Sequence, residues 1–391
     1  TYTLAEGQVR EPYFTPGPGP QLILQDVNIG SDTAGAEIHY TTDGTFPTCT
    51  TGSVYIEAVS NIASGDTLNA VACKPGWLDS TVASGEYEWG IWMAANGGDI
   101  LQSPDRGETW NVVQTLPGVG LIATDSNGSW VAAGGYGASQ VSFDRGATWS
   151  SSAIGMSIVS SLATDGFGTW IAAGNDDNSP HLRHSVDGGV TWDLPNMPAV
   201  EGEATDVATN GVIWIAVAST GEVLRSIDAG NTWVEVFNTG SQGFYDVATN
   251  GSGTWVASGQ WTTGPPYTID SYIMYSTDEG QTWLEATYDS VPGGATALGV
   301  DSAGTFLVGG DDTLLSSTDG QTWTELTPIQ LGLRVIQLQA DDGNPGRWLA
   351  VLYDAVQLTG GELWSSDTAG TTWNPVPGWP AGSRGQPVYG Y

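Results

Sequence analysis

An octapeptide of the form S-x-D-x-G-x-T-W recurs along this chain, and no other feature limits the fold as tightly. It reads SPDRGETW at 103–110, SFDRGATW at 142–149, SVDGGVTW at 185–192, SIDAGNTW at 226–233 and STDEGQTW at 276–283. Two altered copies follow: STDGQTW at 317–323 lacks one residue, and SSDTAGTTW at 365–373 carries one extra. The closing tryptophans (Trp110, Trp149, Trp192, Trp233, Trp283, Trp323 and Trp373) stand roughly 40–50 residues apart, the length of one four-stranded propeller blade.

A second phrase keeps step with the first. TDSNGSWVAAGG (124–135), TDGFGTWIAAGN (164–175), TNGVIWIAVAS (209–219) and TNGSGTWVASGQ (249–260) are clear copies. VDSAGTFLVGG (300–310) and DDGNPGRWLAV (341–351) are looser, and WGIWMAAN (89–96) opens the series. Each unit reads as an inner strand, a D/N-G turn, a Trp-led apolar strand, a third strand ending in Ser, the octapeptide as a turn, and a fourth strand. With 55 Gly, 18 Trp and 13% charged residues, the composition suits short strands and tight turns. Sustained helical periodicity is lacking.

Within the octapeptide, the carboxylate can accept hydrogen bonds from its own turn, Gly supplies a left-handed conformation, and Trp lays an apolar face between sheets. Seven acids, Asp105, Asp144, Asp187, Asp228, Asp278, Asp319 and Asp367, fill this role. One in every repeat reads as scaffold and not as catalysis. These residues resemble the Asp-box (BNR) repeat of sialidases, xyloglucanases, sortilin-type receptors and the photosystem II assembly factor, over about residues 90–391. The resemblance implies that the boxes lie on the face opposite the ligand.

The first box-bearing blade begins at its Trp-led strand with no inner strand before it, while RGQPVYGY (384–391) follows the last box. The tail is therefore expected to supply the missing strand and remove a free edge. Residues 1–88 carry no box. Their string YTTDGTFPT (40–48) resembles the chitobiase C-terminal-type domain, an immunoglobulin-like module of secreted carbohydrate-active proteins, in which Asp43 reads as a turn former. The expected fold is all-β: a small N-terminal immunoglobulin-like sandwich (1–88), then a seven-bladed β-propeller (89–391).

Nine Lys+Arg against 43 Asp+Glu leave a net charge of −34, which repels nucleic acid and anionic membrane. No apolar run is long enough for membrane insertion. Cys49 and Cys73 lack a CxxC or a metal-ligand pattern and read as a disulfide, hence an oxidising compartment and a secreted or cell-surface location.

The ligand face is expected among the uneven loops after the Trp-led strands. The longest, GQWTTGPPYTIDSY (259–272), offers Trp261, Tyr267, Asp270 and Tyr272, aromatics flanked by a carboxylate as a neutral sugar requires. Tyr136 and Asp354 lie on corresponding loops. Asp176 and Asp177 are a solvated turn or a weak calcium site; no cofactor is otherwise called for. Other acids (Glu201, Glu203, Glu362) cannot be paired from sequence, and His39, His181 and His184 make no metal pattern. Sialidase chemistry needs three converging arginines. Arg106 and Arg145 fall inside boxes, Arg10 precedes the propeller, and Arg183 and Arg225 lie on third strands, which leaves only Arg334, Arg347 and Arg384. The sialidases' F/Y-R-I-P motif is absent and the net charge repels an anionic substrate, so sialidase activity is not expected. The leading expectation is an exported, non-catalytic binding or surface protein that recognises carbohydrate on the propeller face opposite the boxes, where a protein partner is also open. A glycan-cleaving enzyme and a protein–protein scaffold or assembly factor are the alternatives.

Overall fold

In the computed structural model the chain divides into two compact units, Thr1–Gly90 and Ile91–Tyr391. The structure describes residues 7–21, 26–60, 62, 66–103, 107–135, 137–176, 181–240, 242–262, 269–288, 295–341, 346–354, 361–379 and 387–390. Among these residues every regular element is a strand. The division falls just past the composition break at 88, because the last strand of the first unit, Ala83–Trp89, runs on to Trp89.

The first unit holds a five-stranded sheet and a two-stranded sheet among the described residues. Thr67–Cys73 lies at the centre of the larger one, between Ala83–Trp89 and Glu37–Thr41. Val27, Ile29, Ile38, Leu68, Ala70, Ala72 and Tyr87 form its core. Cys73 closes a disulfide to Cys49, with Cα atoms 5.8 Å apart. Asp43 accepts hydrogen bonds from the Thr45 amide (3.0 Å) and hydroxyl (2.5 Å), which makes it a turn former.

The second unit is a propeller of seven sheets, here called blades 1 to 7. Their second strands are Ile91–Asn96, Trp130–Gly134, Trp170–Asn175, Trp214–Ala218, Trp255–Thr262, Phe306–Gly310 and Trp348–Tyr353. These strands are buried on both faces, so they read as unbroken apolar runs and not as alternation. Trp92, Trp130, Trp170, Trp214, Trp255, Phe306 and Trp348 are at most 1% exposed. Each removes on the order of 4–6 kcal/mol of apolar surface from water. Six blades have four strands and blade 3 has three among the described residues. There the fourth strand shrinks to a bridge between His184 and Asp193. Pro195 follows two residues later and has no N–H to continue the ladder.

Blade 1 takes its inner strand from the other end of the chain. Pro387–Gly390 pairs antiparallel with Ile91–Asn96, with Val388 opposite Met93. The octapeptide then joins each blade to the one before it. A methyl group built on Gly230 of blade 4 would lie 2.4 Å from Ile171 Cδ1 of blade 3, and one on Gly280 of blade 5 would lie 2.5 Å from Ile215 Cδ1 of blade 4. The same contact joins Gly146 to Met93, Gly189 to Val131, Gly320 to Val256 and Gly370 to Leu307. Gly107 of blade 1 meets Leu349 of blade 7, and the series closes on itself. The partner is always the residue directly after the Trp or Phe that opens the second strand.

The turn itself is a hydrogen-bonded cage. In blade 5 the Ser276 hydroxyl donates to Asp278 Oδ1 (2.8 Å) and accepts from the Gly280 amide (3.0 Å). Asp278 also accepts from the Thr282 amide (2.8 Å) and hydroxyl (2.7 Å), while Trp283 Nε1 donates to the Gly280 carbonyl (3.2 Å). Asp144, Asp187, Asp228 and Asp319 repeat the pattern; Asp105 lies outside the described residues. Blade 7 differs from the sequence reading. Its turn begins at Ser366, whose hydroxyl accepts from the Gly370 amide, and Thr368 occupies the acid's place, accepting from the Thr372 amide at 2.9 Å. Asp367 instead pairs with Arg347 at 2.5 Å. The apparent extra residue is thus no insertion; the left-handed pair Ala369 and Gly370 fixes the register one position later.

Candidate functional site

The inner strands line a channel of about 530 Å³. Five of them carry a register shift, which falls between Val119 and Leu121, Val159 and Ser161, Ala204 and Asp206, Phe244 and Asp246, and Val335 and Gln337. A bulge inserts one unpaired residue and re-aims its neighbours. The skipped residues Ser160, Thr205, Tyr245 and Ile336, and those after them, Ser161, Asp206, Asp246 and Gln337, all line the channel. The octapeptides and the first-to-second-strand hairpins share one face, tied by bonds such as Arg145 N to Gly128 O. The bulges lie toward the other end of the inner strands, so Ser161, Asp206, Asp246 and Gln337 enter the channel on the side away from the octapeptides, while Thr124, Thr164, Thr209 and Thr249 line it toward them.

Two carboxyl groups dominate this end. Asp206 Oδ2 accepts from the Val247 amide of the next blade at 2.8 Å, and Asp246 Oδ2 accepts from the Leu298 amide of the blade after that at 2.9 Å. The two groups also hydrogen-bond each other. Burial, then the charge of Asp206, holds the Asp246 carboxyl well above the usual carboxylate range. Burial also raises Asp206, against hydrogen bonds from Asp246, Ser161 and the backbone.

Around them, among the described residues, the mouth offers hydroxyls and the Tyr245 ring. Ser160 Oγ donates to Glu203 Oε1 at 2.5 Å, and Thr205 Oγ1 donates to the Phe244 carbonyl at 3.0 Å. Tyr245 is 39% exposed, and its hydroxyl accepts from Gln260 Nε2 at 2.5 Å. Arg334 is bound bidentately by Asp311, both contacts 2.6 Å. That hydrogen-bonded carboxylate, outweighing partial burial, raises the guanidinium pKa further. Such a surface can exchange hydrogen bonds with a neutral polyhydroxylated or amide-bearing ligand. Asp206 and Asp246 touch each other, closer than the roughly 5–10 Å that separates the paired carboxyls of a glycoside hydrolase.

The expected loop residues fare unevenly. Tyr272 is no ligand group: it is 4% exposed, donates to the Gln242 carbonyl at 2.6 Å and stands edge-on to Phe244 at 5.3 Å. The apparent loop is mostly an extended hairpin, Trp255–Thr262 with Ile269–Ser276, that sets the Tyr272 ring over Gly259. Trp261 and Asp270 are backbone partners on this hairpin; their side chains, with Tyr136, Asp177 and Tyr267, lie outside the described residues. Asp354 is half-buried just beyond Trp348–Tyr353. Asp176 is ion-paired to Arg183 at 2.9 Å, which satisfies the charge a calcium ion would need. Among the described residues the one group of His, Cys, Asp and Glu tight enough for a metal is Cys49, Cys73 and Asp79, and its sulfurs form the disulfide. Arg334 and Arg347 are each spent on an aspartate, Asp311 and Asp367, and Arg384 lies outside the described residues.

Asp206 and Asp246 are absent from the sequence-based candidates. The signal for them is the aspartate shared by TDVATN (205–210) and YDVATN (245–250), where the preceding copy reads SLATDG.

Comparison with known proteins follows the division into two units. Residues 27–87 match the family model "Fn3 associated". No curated protein sequence matches the chain. Among solved structures, YCF48 bound to D1 peptide is similar at 17% identity and a TM-score of 0.50, covering 73% of this chain and 85% of that one. YCF48 from Cyanidioschyzon merolae gives 16% identity, a TM-score of 0.50, and coverage of 73% and 88%. The GH74 xyloglucanase from Xanthomonas campestris gives 13% identity and a TM-score of 0.35, with coverage of 81% and 69%. At these identities the YCF48 likeness is one of fold: the chain is an all-β protein whose larger unit is a β-propeller.

Proposed function

We propose that this chain is an exported, non-catalytic binding protein that takes carbohydrate at the channel mouth opposite the octapeptides. The observation that carries the reading is the lining of that mouth: the half-exposed Tyr245 ring together with Ser160, Thr205 and the Asp206–Asp246 pair, with Glu203 held on Ser160. A sugar ring needs an apolar face to stack on and carboxyl or hydroxyl partners for its own hydroxyls. Export is supported by the Cys49–Cys73 disulfide. The contact between the two carboxyls weighs against hydrolysis. No cofactor is required. A polypeptide ligand is the second reading, supported by the D1 peptide held by the YCF48 structure.

Glycan-array binding paired with a reducing-end assay on the same sugars tests the proposal. Binding without release is expected, and Tyr245→Ala should weaken it about tenfold. Release of reducing ends would favour the enzyme. Silence on all sugars, or binding indifferent to both Tyr245→Ala and Trp261→Ala, would remove the carbohydrate reading.

A further inference from the structure

The octapeptide face is not uniform around the ring. At the second position of the turn, blades 2, 3 and 4 carry Phe143, Val186 and Ile227, exposed by 57, 69 and 65%. Blades 5 and 6 carry Thr277 and Thr318 in the same place, and blade 7 carries Asp367. The hairpin tips follow suit: Phe167 of blade 3 is 92% exposed and Val212 of blade 4 is 69% exposed, where blade 5 has Ser252. The chain's own repeats therefore show that a hydroxyl serves the fold equally well at these positions. The apolar side chains stand on three successive blades of one face, where blades 5 to 7 carry polar ones. Phe143 lies against Gly188 of the next blade, and Asn127 Nδ2 donates to the Gly166 carbonyl at 2.8 Å, joining the hairpins of blades 2 and 3.

We propose that the octapeptide face of blades 2 to 4 docks a polypeptide segment whose apolar side chains are flanked by lysine or arginine. Exposed apolar groups gathered on one face mark an interaction surface, and charge identifies the occupant. Asp144, Asp187 and Asp228 lie among these side chains, each holding its charge through hydrogen bonds within its turn. A second copy would press like charges together on a chain of net charge −34. An anionic membrane is repelled for the same reason. A cationic, apolar segment satisfies both features.

The test uses three fluorescent peptides of equal length, alternating Leu with Lys, Leu with Glu, or Ser with Lys, on the full chain. The variant Phe143→Thr/Val186→Thr/Ile227→Thr installs the residue that blades 5 and 6 already carry, and circular dichroism verifies its fold. The Leu–Lys peptide should bind best, weaken as salt rises, and lose about tenfold or more in affinity with the variant. Several results would overturn the proposal: no peptide binding, equal binding of the Ser–Lys peptide, or unchanged affinity in the variant. Dimerisation that the variant abolishes would assign the face to a second copy. Phosphatidylcholine vesicles that bind the native chain and not the variant would assign it to lipid.

Discussion

The fourth and fifth residues of the octapeptide turn both sit in the left-handed region. Ala229 has φ 58° and Gly230 φ 81°; Glu279 and Gly280 have 60° and 74°, and blade 3 uses Gly188 and Gly189. A side chain in that region costs about 1–2 kcal/mol, so the fourth position tolerates one at some strain. The fifth does not, because space as well as φ is lacking there: its α-carbon faces the neighbouring blade. The short turn of blade 6 drops one left-handed residue and keeps Gly320, at φ 73°, with its cage of bonds. Three substitutions separate the two demands. Gly230→Ala should destabilise by about 2 kcal/mol or more in urea unfolding, and Ile171→Val should recover part of that loss by removing the clashing Cδ1. Ala229→Gly should change stability by less than about 1 kcal/mol, with relieved strain set against lost entropy. Equal effects at both positions would refute this account.

At the scale of elements, the strand Pro387–Gly390 supplies the edge that Ile91–Asn96 otherwise lacks. Truncation after residue 386 should lower the melting temperature of the propeller and yield oligomers by size exclusion, since an unpaired strand edge recruits another chain. A monomer with unchanged melting would mean that closure adds nothing. Elements were legible in the sequence where the repeat exposed them: the Trp-led strands and turns recur, and an octapeptide read seven times needs no tertiary information. The site was legible only in part. An aspartate within an apolar strand reads as solvent-facing, and nothing within one strand reveals the bulge that turns Asp206 and Asp246 into the channel. Their backbone partners stand 41 and 52 residues away. Tyr272 misled because its Gly- and Pro-rich neighbourhood reads as a loop, whereas pairing carries the hairpin on to Thr262 and Ile269. Asp367 misled because the doubled serine at 365–366 let the start of the last copy be aligned one residue early.

Across the whole molecule, two sets of acids pull stability in opposite directions with pH. In the cages, burial opposes the charge of Asp278, but the Thr282 and Ser276 hydrogen bonds win and lower its pKa to about 2. Asp187, Asp228 and Asp319 are lowered by the same balance, and Asp144 by hydrogen bonds led by that of the Thr148 hydroxyl. A lowered pKa adds stability above the unfolded value, which is lost as pH falls. The Asp206–Asp246 pair is raised, so its contribution is full in acid and is lost as pH rises through its titration. Urea midpoints at fixed ionic strength should therefore peak in mild acid. Asp278→Asn should lower the midpoint most above about pH 4 and flatten the acid limb, and Asp246→Asn should flatten the alkaline limb while keeping its acceptor for Leu298. Unchanged limbs would refute the assignment. The seam in blade 1 bears on how the protein is made. Synthesis at roughly 5–20 residues per second leaves the first blade waiting tens of seconds for the final residues that complete it. Throughout that interval an apolar ribbon hangs open at the start of the nascent ring, and a holding chaperone, or export before folding, is what would shelter it.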